Sequence, residues 1–292
     1  MAGTMLKSWV PRLLLFVLCF FSTIVAADNQ NMGMEIPQNG CIEMFPQGYV
    51  NWTTGKVYAG GKVVPSDRKK ADSPNFILSA ARSAARRNLI EILKQLNIYG
   101  NFSVGTLAAS DDHILAGIEK NVMDAKLVKQ SYTSNRSIDV MLETSIFGGF
   151  LQLVLPEEIK SIPTLQIINP RPSSGGNTRE YTGLIIDATA IGFEPVLYPV
   201  VVSELGQKIY SALFVSREFA VQKGVCRYLC RMDSPEALKW VGDNPIQVKA
   251  LRKGGLGDSS IVISKSDGDK IENIRERHGF MKACRVIILV SR

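Results

Sequence analysis

The most regular pattern of apolar and polar residues lies between residues 75 and 97. Apolar side chains recur there every three or four positions, which is the period of a helix with one buried face. They are Ile77, Ala81, Ala85, Leu89, Ile92 and Leu96. Ser73 and Pro74 stand where an N-cap and a first helical residue are favoured. The sequence therefore predicts an amphipathic helix over 75–97, with an alanine-rich first half that can lie close to a sheet.

Strand patterns surround this helix. The β-branched and aromatic run at 49–64 predicts one long strand, bent or bulged at its glycines. Ser110, followed by two aspartates, favours the start of a second helix. Two strands joined by a turn at 134–136 are predicted at 126–133 and 137–147, and apolar residues alternate with polar ones along the second. The order strand, helix, helix, hairpin predicts a first α+β domain over residues 47–160.

Proline and glycine interrupt the chain at 161–180, which predicts a linker between two domains. Short strands follow, and then a helix and a buried terminal strand. The strands are predicted at 182–188, 195–203, 208–214, 225–230, 246–252, 260–264 and 285–290, and the helix from Asp267 to about Lys282. Residues 181–292 therefore form a second predicted domain. The expected fold class is α+β, with two small domains, each an antiparallel or mixed sheet with helices packed on one face.

Residues 1–27 have the composition of a secretory signal peptide. Two basic residues precede a nine-residue apolar run, and Val25-Ala26-Ala27 supplies the small residues that signal peptidase accepts. We expect cleavage after Ala27, followed by an extended lead-in at 28–46. The apolar stretch is shorter than the ~20 residues that a spanning helix needs, so an uncleaved anchor is the less favoured alternative. A lipoprotein signal is not expected, since Cys19 lies within the apolar run.

Charge changes this picture only a little. The chain of 292 residues has a formal net charge of +7, from 34 Lys and Arg against 27 Asp and Glu. Loss of the signal removes two basic residues and leaves +5, spread over both predicted domains. That spread and the predicted export argue against nucleic acid as a partner. The basic group of Lys69, Arg82, Arg86 and Arg87 is either a solvated helix face or an interaction surface for an anionic polymer.

The cysteines that remain after signal removal are Cys41, Cys226, Cys230 and Cys284. An even number in an exported chain indicates disulfides, for which three sets of pairs are possible. In a strand at 225–230, Cys226 and Cys230 would lie about 13 Å apart, too far for a bond to each other. A bond from either of them to Cys284 is the preferred prediction. The alternatives are a bond to Cys41, free buried thiols, and a loose metal site that includes His278.

The sequence contains no Gly-x-Ser-x-Gly, His-Glu-x-x-His or Walker A lysine motif. His113 and His278 are the only histidines, and each fits a surface position better than a catalytic base. The glycine-rich stretch 253–260 fits a hairpin loop, and Asp267-Gly268-Asp269 fits a helix cap as well as a calcium ligand pair. Asp187 lies in an apolar strand with no catalytic partner in the sequence. We therefore predict a protein that is not an enzyme and has no cofactor or metal.

A family resemblance rests on two neighbouring stretches. Residues 48–61, Gly-Tyr-Val-Asn-Trp-Thr-Thr-Gly-Lys-Val-Tyr-Ala-Gly-Gly, precede the helix Ala-Ala-Arg-Ser-Ala-Ala-Arg-Arg-Asn-Leu at 80–89. Together they resemble the LPP20 lipoprotein-like domain of bacterial envelope proteins, which is similar to the N-terminal domain of the flagellar H-ring assembly protein FlgT. The hairpin at 126–147 resembles the closing strands of that family, and 181–199 resembles a companion segment of proteobacterial envelope proteins. The resemblance implies a helix packed on a small sheet and no catalytic residues.

The signal and the resemblance together predict a non-enzymatic exported envelope protein that acts through protein–protein contacts, in flagellar or outer-membrane assembly. Its expected place is the periplasm or the outer-membrane periphery of a Gram-negative bacterium. Because a lipobox is absent, we expect at most peripheral membrane association. The alternative function is a periplasmic binding module for peptidoglycan or another polyanion, which would use the basic group defined above. The sequence does not set an oligomeric state.

Overall fold

Two β-sheets organise the chain, and each has its own helices. The computed structural model describes residues 40–64, 73–134, 137–155, 180–232, 235–275 and 279–291. The first sheet lies before residue 155 and the second after residue 180, so the α+β class with two small domains is confirmed. The signal region with Ala27, the segment with Lys69, and residues 161–179 of the predicted linker lie outside the described residues.

The first domain is a five-stranded antiparallel sheet with helices on one face. Its elements are β1 (Ile42–Phe45), β2 (Gly48–Asn51), β3 (Lys56–Val63), α1 (Pro74–Gln95), β4 (Asn97–Tyr99), β5 (Phe102–Ser103), α2 (Val104–Ser110), α3 (Asp112–Met123), β6 (Lys126–Tyr132), β7 (Ile138–Ser145) and α4 (Gly149–Val154). The sheet order is β1-β2-β3-β7-β6, and β4 pairs with β5 in a separate small ribbon. β1 and β6 are therefore the two edges of the first sheet.

Helix α1 covers the first sheet as its sequence predicts. Ser73 Oγ accepts a hydrogen bond from the Phe76 amide at 3.3 Å, and Pro74 occupies the first helical turn. The predicted apolar stripe is buried. Gly61 of β3 lies under the helix, since a Cβ atom there would stand 2.2 Å from the Ala81 carbonyl oxygen. Small residues on both surfaces therefore let helix and sheet approach closely.

Two predicted elements of this domain are divided in the structure. The predicted strand 49–64 is two strands, β2 and β3, because Gly55 adopts a positive φ of 67° in the turn between them. The predicted second helix is two helices, α2 and α3. Asp111, and not Ser110, caps α3, because its Oδ1 accepts from the His113 amide at 2.8 Å. β1 adds a further strand from within the predicted lead-in.

The second domain is a seven-stranded mixed sheet. Its elements are β8 (Gly183–Asp187), β9 (Val200–Ser203), β10 (Lys208–Tyr210), α5 (Arg217–Lys223), β11 (Arg227–Leu229), α6 (Pro235–Val241), β12 (Pro245–Gly254), β13 (Ser260–Ile263), α7 (Lys265–Arg275) and β14 (Val286–Leu289). The order is β10-β9-β13-β12-β8-β14-β11. β8 is parallel to β12 and β14, and β11 is parallel to β14. The neighbouring strands β8 and β14 are buried on both faces, which explains their unbroken apolar sequences.

Several strands of the second domain are shorter than predicted. Residues 195–199 are irregular, and only β9 remains of the predicted strand 195–203. Pro195 and Pro199 explain this, because proline lacks the amide hydrogen that a strand ladder uses. The terminal helix begins two residues earlier than predicted, at Lys265. Among the described helices, none combines the length and the apolar character that a bilayer crossing requires.

Candidate functional site at the junction of the two domains

Strand β11 is an edge of the second sheet, and the first domain covers it. Thr53, in the turn between β2 and β3, donates its hydroxyl to the Tyr228 carbonyl oxygen at 2.9 Å. The same hydroxyl accepts a hydrogen bond from the Cys41 amide at 2.9 Å. Arg227 Nη1 donates to the Thr53 carbonyl oxygen at 2.6 Å. The β2–β3 turn therefore joins the two domains and protects an edge that would otherwise be open to other strands.

A disulfide reinforces this contact. Cys41, just before β1, is bonded to Cys230, just after β11, with 5.4 Å between their Cα atoms and 189 residues between them in sequence. The preferred prediction of a bond to Cys284 is wrong, because Cys284 is a free thiol buried in the second domain. Cys230 instead follows the strand that the first domain covers. As expected, Cys226 and Cys230 do not bond to each other, since β11 separates them.

Cys226 and Cys284 are buried free thiols. Burial raises the pKa of each thiol to about 12. The neighbouring hydroxyls of Tyr228 and Tyr210 oppose part of this rise in the pKa of Cys226 and Cys284, respectively. A thiol that stays protonated is neither a nucleophile nor a metal ligand. Within the described ranges no group of three or more His, Cys, Asp or Glu side chains could hold a metal ion, and His278 lies outside those ranges.

Aromatic side chains fill the junction between the sheets. Trp52 and Tyr228 meet edge to face, with 5.7 Å between their ring centroids. The Trp52 indole N–H donates to Glu43 Oε2 at 2.7 Å. The Tyr228 hydroxyl donates to the Val196 carbonyl oxygen at 2.8 Å and accepts from the Val196 amide at 3.1 Å. A cavity of about 20 Å³ beside these rings, lined also by Cys226, has room for about one water molecule. This cavity is too small for a substrate or cofactor.

A stacked cation adds to the same junction. The Arg227 guanidinium carbon lies 4.0 Å from the centroid of the Trp240 ring and 6.0 Å from that of the Phe147 ring. Phe147 belongs to the first domain, and its ring lies against two glycines. A Cβ atom on Gly55 or Gly224 would stand 2.2 Å or 2.9 Å from that ring. The guanidinium thus lies near aromatic rings of both domains, and a cation–π contact of this kind stabilises by about 1 kcal/mol when the cation is half-buried.

Two carboxylates interact across the junction, Glu43 of β1 and Glu194 of the second domain. Desolvation raises the pKa of Glu43, the hydrogen bond from Trp52 opposes the rise, and the charge of Glu194 adds to it. Together these effects place the pKa of Glu43 above its usual value. The folded chain therefore holds the proton of this carboxyl more tightly than the unfolded chain does. The junction is therefore sensitive to the ionisation of Glu43. Sequence analysis missed this pair because the two residues come together only when the domains pack.

The second domain has a counterpart in another protein. Residues 183–292 match the family model described as Treponema pallidum Tp0624, second domain. The matched stretch begins at the first residue of β8 and contains no residue of the first domain. No curated protein matches the chain. The similarity to Tp0624 therefore concerns one domain, and the resemblance of the other to the LPP20 family stays a prediction.

The arginines of the predicted basic group, which lie on α1, differ in their exposure and in their contacts. Arg86 Nη2 donates to the Met123 carbonyl oxygen at 3.3 Å, at the end of α3, where a cation is favoured by the helix dipole. Arg82, one turn earlier, is half-buried, whereas Arg87 is exposed. Lys69 lies outside the described residues. Arg86 therefore links α1 to α3, and Arg87 is the member of the group that is open to solvent.

The remaining candidates from the sequence have structural partners. Asp187 Oδ1 accepts from the Thr189 hydroxyl at 2.6 Å and from its amide at 3.1 Å, and these bonds lower the pKa of the Asp187 carboxyl. Ser264 Oγ donates to Asp267 Oδ2 at 2.7 Å and accepts from the Asp267 amide at 3.0 Å. This reciprocal pair caps α7, so the helix-cap interpretation is the one that the structure shows. The stretch 253–260 connects β12 and β13, which pair antiparallel as a hairpin.

A second candidate surface lies at the β6 edge of the first sheet. Large apolar side chains are exposed there, namely Met123 (61%), Leu127 (39%), Val128 (51%) and Tyr132 (64%). The strand itself was predicted, but its exposure was not. The available signal was that the apolar residues of 126–133 do not alternate as those of 137–147 do. The register with β7 shifts between Leu127 and Lys129, which is typical of an edge strand with a bulge.

Proposed function

We propose that the chain is a non-enzymatic envelope protein, exported by its N-terminal signal, that acts through contacts with other envelope proteins. The observation that carries this proposal is the group of exposed apolar side chains Leu127, Val128 and Tyr132 on one edge strand. Large apolar side chains that are exposed on one element are typical of interaction sites. In this proposal the packed junction holds the two domains rigidly together, and the exposed β6 edge is the surface that contacts the partner protein.

The Cys41–Cys230 disulfide supports the exported part of the proposal. Structural disulfides form and persist in oxidising compartments, of which the bacterial periplasm is one. The basic and apolar N-terminal segment at 1–27 favours the same route. We therefore propose the periplasm or the outer-membrane periphery of a Gram-negative bacterium as its location. A role in flagellar or outer-membrane assembly rests on the LPP20 resemblance of residues 48–61 and 80–89.

The surroundings of the reactive side chains support a non-catalytic role. The thiols of Cys226 and Cys284 are buried, with pKa values raised to about 12. Asp187 stabilises a turn through its hydrogen bonds with Thr189, and Asp267 pairs with Ser264 at the N-terminal cap of α7. The alternative of polyanion binding receives less support, since Arg86 is engaged at the end of α3. Contacts between proteins are thus the function that these arrangements favour.

Chemical crosslinking in intact cells tests the proposal. The tagged full chain and a control without residues 1–27 would be crosslinked, purified under denaturing conditions and analysed by mass spectrometry. We expect envelope or flagellar proteins to be enriched with the full chain and absent with the control. Equal recovery from both chains, or recovery of no envelope protein, would refute the proposal. The mature N-terminus is expected at Asp28, which the same mass spectrometry measures.

A further inference from the structure

On the side of the first sheet that carries the helices, apolar side chains of strand β6 remain exposed. Register with β7 places Leu127 opposite Leu142 and Tyr132 opposite Ile138, and both of these partners are buried in the core. Leu127 and Tyr132 themselves are 39% and 64% exposed. Gln130 lies between them on the same face, and its side-chain amide donates to the Tyr132 hydroxyl. This helix-side face of β6 therefore has apolar side chains at both ends and a polar one, already hydrogen-bonded, between them.

Helix α1 lies over a strand that is two places away from β6. The α1 backbone closely approaches Gly61 of β3, which is paired with Val140 of β7, and Val140 is paired with Gln130 of β6. Neighbouring strands are about 4.8 Å apart, so β6 is about 10 Å from the strand under α1. The axes of packed helices are about 8–10 Å apart. A further helix laid beside α1 would therefore lie over β6.

Two arginines of α1 border this face. Arg86 Nη2 donates to the carbonyl oxygen of Met123, which ends α3 just before β6, so this flank of α1 is turned towards β6. Arg82 is one helical turn earlier on the same flank. In the part of the chain that the structure describes, the Nε atoms of both arginines are buried without a hydrogen-bond partner, and Asp124 forms no ion pair with either. Anionic oxygens placed over β6 would supply the acceptors that these guanidinium groups lack.

A second copy of this chain is a poor occupant of the face. A two-fold dimer sets the same patch of both copies against each other, which would bring Arg82 and Arg86 of one copy towards those of the other. Like charges at such a contact are unfavourable. An extended strand paired with the edge of β6 would leave the side chains of this face uncovered. A helix with carboxylates on one flank covers the apolar side chains and neutralises the arginines.

We infer that the helix-side face of β6 binds an amphipathic helix of a partner protein. This helix lies beside α1, and its apolar side chains contact Leu127, Tyr132 and Met123. Its Asp or Glu side chains face Arg82 and Arg86. Docking of an amphipathic helix through apolar residues at three- and four-residue spacing is a recurrent mode of recognition, and the carboxylates select this partner over a basic helix. The inference rests on the proposed function and names the surface and the partner chemistry.

A peptide binding experiment with the full mature chain tests the inference. The probes are two labelled helical peptides with the same leucine stripe, one with glutamates beside the stripe and one with lysines, and binding is measured by fluorescence polarisation. We expect the glutamate peptide to bind more tightly than the lysine peptide. The variant Arg82→Glu is expected to lose about tenfold in affinity for the glutamate peptide. Leu127→Ser should weaken the binding of both peptides, since each loses an apolar contact.

A matched control removes general charge effects. Arg87→Glu makes the same change in net charge on the exposed side of the same helix, and it is expected to bind the glutamate peptide as the unmodified chain does. Circular dichroism and melting temperature establish that each variant is folded, and Arg82→Gln replaces Arg82→Glu if the latter is not. Equal binding of both peptides, an equal loss in Arg87→Glu, or a dimer that Leu127→Ser abolishes would overturn the inference. Slower hydrogen exchange of the outward-facing β6 amides would indicate an added strand and would also overturn it.

Site-specific photo-crosslinking in cells separates this inference from the proposed function. A photoreactive phenylalanine would be placed at Tyr132 on β6 and, separately, at Leu251, which is also exposed but lies in the second domain. Adducts with another protein at Tyr132 that disappear with Arg82→Glu and persist with Arg87→Glu support the inference. Adducts at Leu251 alone keep the proposed function and contradict the β6 surface. Adducts at neither position, together with no envelope protein in the chemical crosslinks, contradict both the inference and the proposed function.

Discussion

Removal of the Cys41–Cys230 disulfide is expected to lower the free energy of unfolding substantially. The bond joins residues 189 positions apart in sequence. In the chain-entropy treatment, closing a loop of that length costs the unfolded chain about 5 kcal/mol at room temperature. Removal of a native disulfide typically costs about 2–5 kcal/mol. We therefore expect a loss within that range for the variant Cys41→Ser/Cys230→Ser.

The remaining contacts at the junction explain why the variant should still fold. The hydrogen bonds from Thr53 to Tyr228 and from Arg227 to Thr53 stay in place, each with a net contribution of about 1 kcal/mol. Urea unfolding followed by far-ultraviolet circular dichroism measures the free energy for both sheets together. The tryptophan fluorescence, to which Trp52 and Trp240 at the junction both contribute, reports on the contact between the domains. We expect the fluorescence transition to move to lower urea with the dichroism or ahead of it.

Reduction provides the control for this prediction. Dithiothreitol should lower the stability of the unmodified chain to that of Cys41→Ser/Cys230→Ser and should leave the variant unchanged. Cys226→Ala, which keeps the disulfide, should retain the response to dithiothreitol. A loss below about 1 kcal/mol would mean that the cross-link hardly restricts the unfolded chain, and the reasoning from loop length would be wrong.

Three further predictions follow from the packing and from the titratable groups. Gly61→Ala should cost about 1–3 kcal/mol in urea unfolding, because its Cβ would meet the α1 backbone at 2.2 Å; an unchanged midpoint would contradict the close approach. Glu43→Gln should raise the melting temperature at neutral pH. The pKa of Glu43 is raised above 4.5 by desolvation and by Glu194, so the ionised carboxyl destabilises the fold, and the gain should fade as the pH falls through that raised pKa; a gain that is independent of pH would exclude this cause. Cys226 and Cys284 should react with a thiol reagent only after denaturation, since both are buried and protonated; rapid labelling of the native chain would show that they are accessible.

Local sequence patterns predicted an element correctly where the residues of that element alone determine its structure. The period of the α1 stripe and the Ser73 cap predicted a helix that the structure contains. The turn at Gly55 was missed because β-branched and aromatic residues continue on both sides of it, and one glycine is a weak turn signal. Asp111 was passed over as a cap because α2 continues to Ser110 immediately before it. Such errors shift boundaries and leave the fold class intact.

The candidate sites depend on contacts that local patterns do not contain. Cys41 meets Cys230 because the β2–β3 turn covers β11, and that pairing follows from the packing of two domains. Spacing alone correctly excluded a bond between Cys226 and Cys230, but it carried no information on which distant thiol was near. The exposure of β6 likewise follows from its place last in the sheet order. A strand pattern predicts that a segment pairs with another strand. It does not show whether the segment pairs on both sides or lies at an edge of the sheet.

The long separation between Cys41 and Cys230 also sets an order of events during the export that we propose. Because the N-terminal signal leads the chain into the oxidising compartment, Cys41 arrives 189 residues ahead of its partner. During that interval the first domain can fold with an unpaired thiol at its surface. Cys226 then emerges before Cys230 and is the first thiol that Cys41 can meet. Correct oxidation therefore requires that the second sheet enclose Cys226 before the bond becomes permanent, so an isomerase that reopens the early, wrong pair would raise the yield of native protein.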